Sequence, residues 1–384
     1  MDDPRESCRV APARWSTLVT DVGRARERRD RAPVVSVDPR GVRAAVGLAA
    51  GPAPRYPVTV KTLSIAMIVR DEARTLPRCL ASLEGLGAEL VVVDTGSADD
   101  TPGLAARAGA IVAHVPWTGD FAEARNAALE RATGDWVLVL DADESLPPET
   151  HAALPATLAD ATRDGFAALS LVVRNHAPPG ELAAWQDARL VRLFRRDPRH
   201  RYRGAIHEQI AAAIVEAGGR IGASALRVDH WGYVERTAQG GVDRAARNLA
   251  ALERALAAAP DDAYLHFQLG ATRQAAGAPA DAHASLTHAL ALGGLSPEVT
   301  ANAWMKVAQL ALAAQDDATA ADAAQRCLTL RPDDVVALQV LGLAAFGLGQ
   351  LAVARDALTR LLVAPALAPS HRADIARLVG ALPR

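Results

Sequence analysis

Between residues 63 and 140 the chain alternates short apolar runs with stretches of helical period. The runs at 63–69 (LSIAMIV), 90–93, 111–115 and 136–140 are rich in Val, Ile and Leu, and polar or glycine residues bound them. Runs this short predict strands buried on both faces, as in a parallel sheet. Between them, Leu76, Leu80, Leu83 and Leu86 recur at helical spacing. Thr101-Pro102 is a helix start with Gly109 as its stop, and Asp120 with Glu123 resembles a capping box opening a helix over 121–132. Strand–helix alternation of this kind predicts an α/β, Rossmann-like, mostly parallel sheet. Further strands are expected at 166–173, 189–194 and 225–228.

Beyond about Val234 the pattern turns helical and repetitive. LAAAPDDAYLHFQLG and LTLRPDDVVALQVLG are variants of one phrase. Leu269-Gly270, Val307-Ala308 and Leu341-Gly342 share one repeat position, while Ala289, Cys327 and Leu361 share a later one. The period is close to the ~34 residues of tetratricopeptide repeats, with a longer turn around 293–297. Three units and a half-unit at 248–259 suffice for a stable stack. Residues 1–60, dense in Arg and Pro, predict a poorly ordered leader with one short helix near 15–28. The expected domains are therefore the leader 1–60, a catalytic domain 61–236 and an all-α repeat domain 237–384.

Composition narrows the class. The formal net charge is −2, so no general affinity for nucleic acid or an anionic membrane is implied. Three cysteines far apart suggest neither a disulfide framework nor a zinc site. No apolar run reaches the ~18 residues of a membrane span, and the start of the chain lacks the apolar core of a signal peptide. A cytoplasmic location is expected.

The candidate chemistry lies at the strand ends. The 136–140 run ends in Asp141, Asp143 and Glu144. In open parallel sheets, ligands bind beyond the carboxyl ends of the strands. Two carboxylates there repel each other unless a cation joins them, and Mg²⁺ or Mn²⁺ held by few protein oxygens leaves positions for phosphate. The same rim collects Arg70, Asp71 and Glu72 after the first strand and Asp94 after the second. The cationic run 195–203 (RRDPRHRYR) suits either an anionic ligand or a solvated hairpin.

SIAMIVRDE, VVVDTGSADDT, DFAEARNAALERATGDW and LDADE, in this order and spacing, resemble family 2 glycosyltransferases of the GT-A fold. The similarity extends to RLVRLFRRDPRHRYRGAIHEQI and DHWGY, and it is greatest to bacterial members with C-terminal tetratricopeptide repeats. It covers roughly 63–233, continues through the repeats and excludes residues 1–60. The resemblance implies an inverting, metal-dependent transfer of a sugar from a nucleoside diphosphate sugar to an acceptor hydroxyl or peptide side chain. Acceptors would be a protein, peptide or glycan, and the repeats would bind acceptor, a partner or a second copy. Asp71, Glu72 and Asp94 would face the nucleobase and ribose, with Arg70 beside them. Arg125 and Asn126 would serve phosphate or nucleotide. Asp141 and Asp143 would hold Mg²⁺ or Mn²⁺ on the diphosphate, with His230 as a late metal ligand. Gly204 and Glu208 fall at the family's base-bearing motif, where this chain reads His-Glu in place of Glu-Asp. Glu208 is the first candidate for the base and Asp187 the second. The rival readings are a repeat-based scaffold with an inactive glycosyltransferase domain and, ranked lower for want of a Gly-rich phosphate loop, a nucleotidyltransferase.

Overall fold

The computed structural model describes residues 63–206, 208–235 and 239–382. The expected leader, with its helix near 15–28, and His207 lie outside the described residues. Two compact units emerge. Among the described residues, one comprises 63–176 together with 187–235, and the other comprises 177–186 and 239–382.

The first unit is built on eight strands: β1 (Leu63–Val69), β2 (Glu89–Asp94), β3 (Ile111–His114), β4 (Trp136–Val139), β5 (Glu144–Ser145), β6 (Ala168–His176), β7 (Trp185–Arg195) and β8 (Ile221–His230). Their order across the sheet is β3-β2-β1-β4-β7-β6-β8-β5. β1 pairs parallel with β2 and β4, and β2 with β3, so their carboxyl ends share one rim. β7 runs antiparallel to β4 and closes the parallel half. Helices α1 (Leu76–Ala81), α2 (Thr101–Arg107), α3 (Phe121–Arg131), α4 (Pro148–Arg163) and α5 (Ala211–Glu216) connect or flank the strands.

Alternation along the strands builds a core on each face. Ile65, Met67, Leu138, Leu171, Leu193 and Val228 gather with Leu154 and Leu158 of α4. On the other face Ala66, Val91, Val93, Val137 and Val139 gather with Ala122, Ala128 and Leu129 of α3. This burial on both faces is why the sequence runs are continuously apolar. α1 is shorter than its leucine spacing suggests, because residues 82–86 continue as turns.

The short α6 (Gly232–Glu235) ends the first unit. The second unit contains α7 (Gln239–Ala258), α8 (Ala263–Ala275), α9 (Pro279–Leu292), α10 (Pro297–Ala313), α11 (Asp317–Leu330), α12 (Val335–Gly347), α13 (Leu351–Val363) and α14 (Pro369–Ala381). α8 packs with α9, α10 with α11 and α12 with α13. The repeated phrase has a physical explanation. The second Asp of each Pro-Asp-Asp is a helix N-cap: Asp262 accepts from Tyr264 N and Leu265 N, and Asp334 accepts from Ala337 N. The repeat glycines mark close approach between paired helices. A Cβ on Gly270 would sit 2.7 Å from Leu286, and one on Gly342 would sit 2.8 Å from Leu358. The longer turn at 293–297 is present, with Gly293 and Gly294 both at positive φ. This unit also holds 177–186, where Ala184 N donates to Ala366 O and Ala368 N donates to Leu182 O, each at 2.8 Å. Among the described residues, no helix is long and apolar enough to cross a membrane.

Candidate active site

β4 delivers its chain end to the rim as a tight turn. Asp141 N donates to Glu144 Oε2 at 2.8 Å, and Glu144 N returns to Asp141 O at 3.0 Å. The carboxylates of Asp141 and Asp143 then diverge. Asp141 lies between two guanidinium groups: Oδ1 accepts from Arg125 Nη2 and Oδ2 from Arg192 Nη2, both at 3.0 Å. Burial raises its pKa, but these two cations outweigh that and hold it well below the usual carboxylate range. Arg192 also reaches Glu144 Oε1 at 3.2 Å. Glu144 is almost fully buried, and burial pushes its pKa up to about 7 despite Arg192.

Asp143 has a different partner. β5 pairs antiparallel with β8, with Glu144 opposite His230. That register brings His230 Nε2 to 3.3 Å from Asp143 Oδ2. His230 Nδ1 lies 2.8 Å from Asn175 Oδ1. An amide oxygen accepts, so Nδ1 carries a proton, and Nε2 is the ring nitrogen that faces the Asp143 carboxylate. Both side chains are buried. Among the described residues, no three His, Cys, Asp or Glu side chains gather as a metal cluster. The expected set of Asp141, Asp143 and His230 does not converge on one point: Asp143 and His230 face each other, while arginines engage both oxygens of Asp141.

The two candidate bases are separated. Glu208 belongs to the central network through Arg125, whose Nε donates to Glu208 Oε1 at 2.5 Å. Asp187 pairs with Arg174, which donates through Nε and Nη2 at 2.8 Å each. The structure gives it Arg174, the residue on the neighbouring strand, and commits Arg192 to Asp141. Asn126 is also corrected: its amide serves the Tyr202 backbone in both directions, at 3.0 and 2.8 Å, and is not turned to a ligand.

The loops after β1 and β2 are knitted together. Asp94, buried, accepts from Ser97 N and Gly96 N at 3.2 Å, from the Ser97 hydroxyl, and lies 3.2 Å from His114 Nδ1. Burial alone would raise its pKa; these hydrogen bonds hold it below the usual value. Asp71 adopts φ 54° and accepts from Ala98 N at 2.6 Å. Glu72 N donates to Thr101 Oγ1 at 2.8 Å, and Glu72 Oε2 accepts from Thr75 Oγ1 at 2.5 Å. Arg70, half exposed, lies 3.8 Å from Asp71. Sequence reasoning missed Arg192 and Asn175 as members of the site, and it named Glu144 at the strand end without giving it a role. The signal for Arg192 was an arginine set among the apolar residues of LVRLF on β7.

A sequence model described as Glycosyl transferase family 2 matches residues 64–214. Those residues of the sheet unit are similar to the family 2 glycosyltransferase domain. A TPR repeat-containing protein of Synechococcus elongatus is 42% identical over 215 residues, covering 54% of this chain and 51% of the relative. An uncharacterized glycosyltransferase of Rickettsia felis is 31% identical over 124 residues, or 31% of this chain and 44% of the relative. Glycosyltransferase SunS of Bacillus subtilis is 27% identical over 150 residues, or 38% of this chain and 34% of the relative. The chain spans about half or less of the length of these curated relatives. Among solved structures, a mannosyltransferase of Pyrobaculum calidifontis aligns over 72% of this chain and 92% of its own, with 20% identity and a TM-score of 0.38. The matched segment falls within the sheet unit, and the helical array that follows carries the tetratricopeptide pattern.

Proposed function

We propose that the sheet unit moves a glycosyl group from a nucleoside diphosphate sugar to an acceptor, with inversion and with help from a divalent cation. The observation that carries the reading is the strand-end network. It sets Asp143 with His230 on one side and, on the other, Asp141 with Arg125, Arg192 and Glu208. The donor set fits Mg²⁺ or Mn²⁺. A carboxylate oxygen and an imidazole nitrogen lie 3.3 Å apart, and once Nε2 is deprotonated these two protein donors leave room for oxygens of the ligand. When bound, such a cation neutralises charge that develops on the departing nucleoside diphosphate. Asn175 fixes the His230 tautomer and ring orientation for this task.

Glu208 accepts the proton of the acceptor hydroxyl. Both candidate bases are in ion pairs, so pairing alone does not separate them; membership of the Asp141 network favours Glu208. Asp71, Glu72 and Asp94 shape the nucleoside end of the donor site by locking two adjacent loops, with Arg70 at the solvent edge. Arg192 keeps Asp141 ionised and in place. The helical array binds acceptor, whether protein, peptide or glycan, or a partner chain.

Incubation of the full chain with a panel of nucleotide sugars, with and without Mn²⁺, tests the reading through released nucleoside diphosphate. Glu208→Gln keeps size and hydrogen bonding but removes basicity. It should cut transfer by ~10²–10⁴-fold, the range of lost general-base catalysis, and leave donor binding near wild type. A near wild-type rate in Glu208→Gln with a dead Asp187→Asn would exchange the two roles.

A further inference from the structure

We propose that Arg125 is a positioning residue that fixes the Glu208 carboxylate relative to Asp141, a role that rests on the reading of Glu208 as the base. Arg125 lies on α3, and its guanidinium bridges the two acids. Nε reaches Glu208 Oε1 at 2.5 Å and Nη2 reaches Asp141 Oδ1 at 3.0 Å. The side chain is buried, with its guanidinium carbon 5.6 Å from the centre of the Tyr202 ring. A guanidinium is a rigid planar fork. Two of its nitrogens bound to two carboxylates therefore set both the separation and the orientation of those carboxylates. Arg192 holds the second oxygen of Asp141 from β7, so Asp141 is fixed from both sides and serves as the reference point.

Simple anchoring of the Glu208 segment does not need this arginine. Residues 202–205 are already tied to α3 by neutral contacts: Asn126 pairs with the Tyr202 backbone, and Phe121 N donates to Ala205 O at 2.9 Å. Gly204, at φ 100°, turns the backbone between those two anchors, and Glu208 follows three residues after the second. Among the described residues, Arg125 is the side chain that holds the carboxylate itself. Arg125 Nη1 is also buried without a hydrogen-bond partner. Buried polar atoms are normally satisfied.

The test is a double-mutant cycle on kcat and donor KM, using the full chain with its preferred nucleotide sugar. Arg125→Ala should lower kcat by ~10²-fold, the scale of a misplaced catalytic group, with donor KM little changed. Guanidinium ion added to Arg125→Ala should restore part of the rate. Arg125→Lys keeps the buried charge without the fork and should retain a reduced kcat; it carries the test if Arg125→Ala does not fold. The double variant Arg125→Ala/Glu208→Gln should be no slower than Glu208→Gln alone, because a misplaced base and an absent base cost the same step. Additive losses, a rise in donor KM with kcat intact, or wild-type kcat in Arg125→Lys would each overturn the positioning role while leaving Glu208 as the base. A wild-type rate in Glu208→Gln would overturn the base itself, and this role with it.

Discussion

Gly232 offers a way to disturb the Asp143–His230 pair without removing either ligand. It follows β8 by one residue and opens α6. A Cβ at this position would overlap Asp143 Oδ2 and come within 2.7 Å of His230 Nε2. Favourable carbon contacts lie near 3.5 Å, so the carboxylate must withdraw by on the order of 1 Å. The overlapped atom is the end of a short side chain, and alanine favours the helix that starts here, so the fold should tolerate Gly232→Ala. The displaced carboxylate no longer faces Nε2 at 3.3 Å. Disturbing the groups that orient a metal ligand typically costs 10–100-fold in affinity, or about 1.4–2.8 kcal/mol at 1.4 kcal/mol per tenfold change. Titration with Mn²⁺, followed by the loss of the free-ion paramagnetic resonance signal, measures this directly. The melting temperature without metal should stay near wild type. Unchanged Mn²⁺ affinity in a folded Gly232→Ala variant would refute the pairing of Asp143 and His230 as metal ligands.

Arg192→Leu should cost about 3–5 kcal/mol in urea unfolding, because it strips the buried Glu144 carboxylate, and the partly exposed Asp141 beside it, of a shared cation; a loss below about 1 kcal/mol would show that the network is not stabilised this way. Asp334→Ala should remove an N-cap and cost about 1 kcal/mol, a fall of roughly 2–4 °C in the melting temperature, and an unchanged melt would contradict the capping role. His200 is buried, donates from Nδ1 to Arg195 O at 2.8 Å, and has its pKa lowered first by burial. The unfolded chain therefore binds the proton more tightly than the folded one, so this contribution to stability is whole above pH 6.5 and is lost as pH falls below it. Urea midpoints between pH 7.5 and 5 should fall less steeply in His200→Gln than in wild type, and parallel slopes would sink the assignment.

Much of the fold was legible because its causes are local. Continuous apolar runs of strand length, bounded by glycine and acids, mark strands buried on both faces. The Pro-Asp-Asp phrase marks a helix stop followed by an N-cap. Gly270 and Gly342 recur because one helix of each pair must approach the other closely. The rim carrying Asp94 and Asp141 follows from parallel connectivity, since every such strand ends on the same side. Partnerships across that rim depend on register, which is a global property. Asp141 and Asp143 are one residue apart, and the chain alone gives no reason for them to diverge. A turn closed by Glu144 sends one toward Arg125 and Arg192 and the other toward His230, 87 residues on in sequence. Asn126 stands beside Arg125 in sequence, yet the helix directs Asn126 to the Tyr202 backbone and Arg125 to the acids. The sequence therefore determined which charges gather at the strand ends. Tertiary structure decided which of them neutralise one another, because strand register and helix facing set distances that residue types leave open.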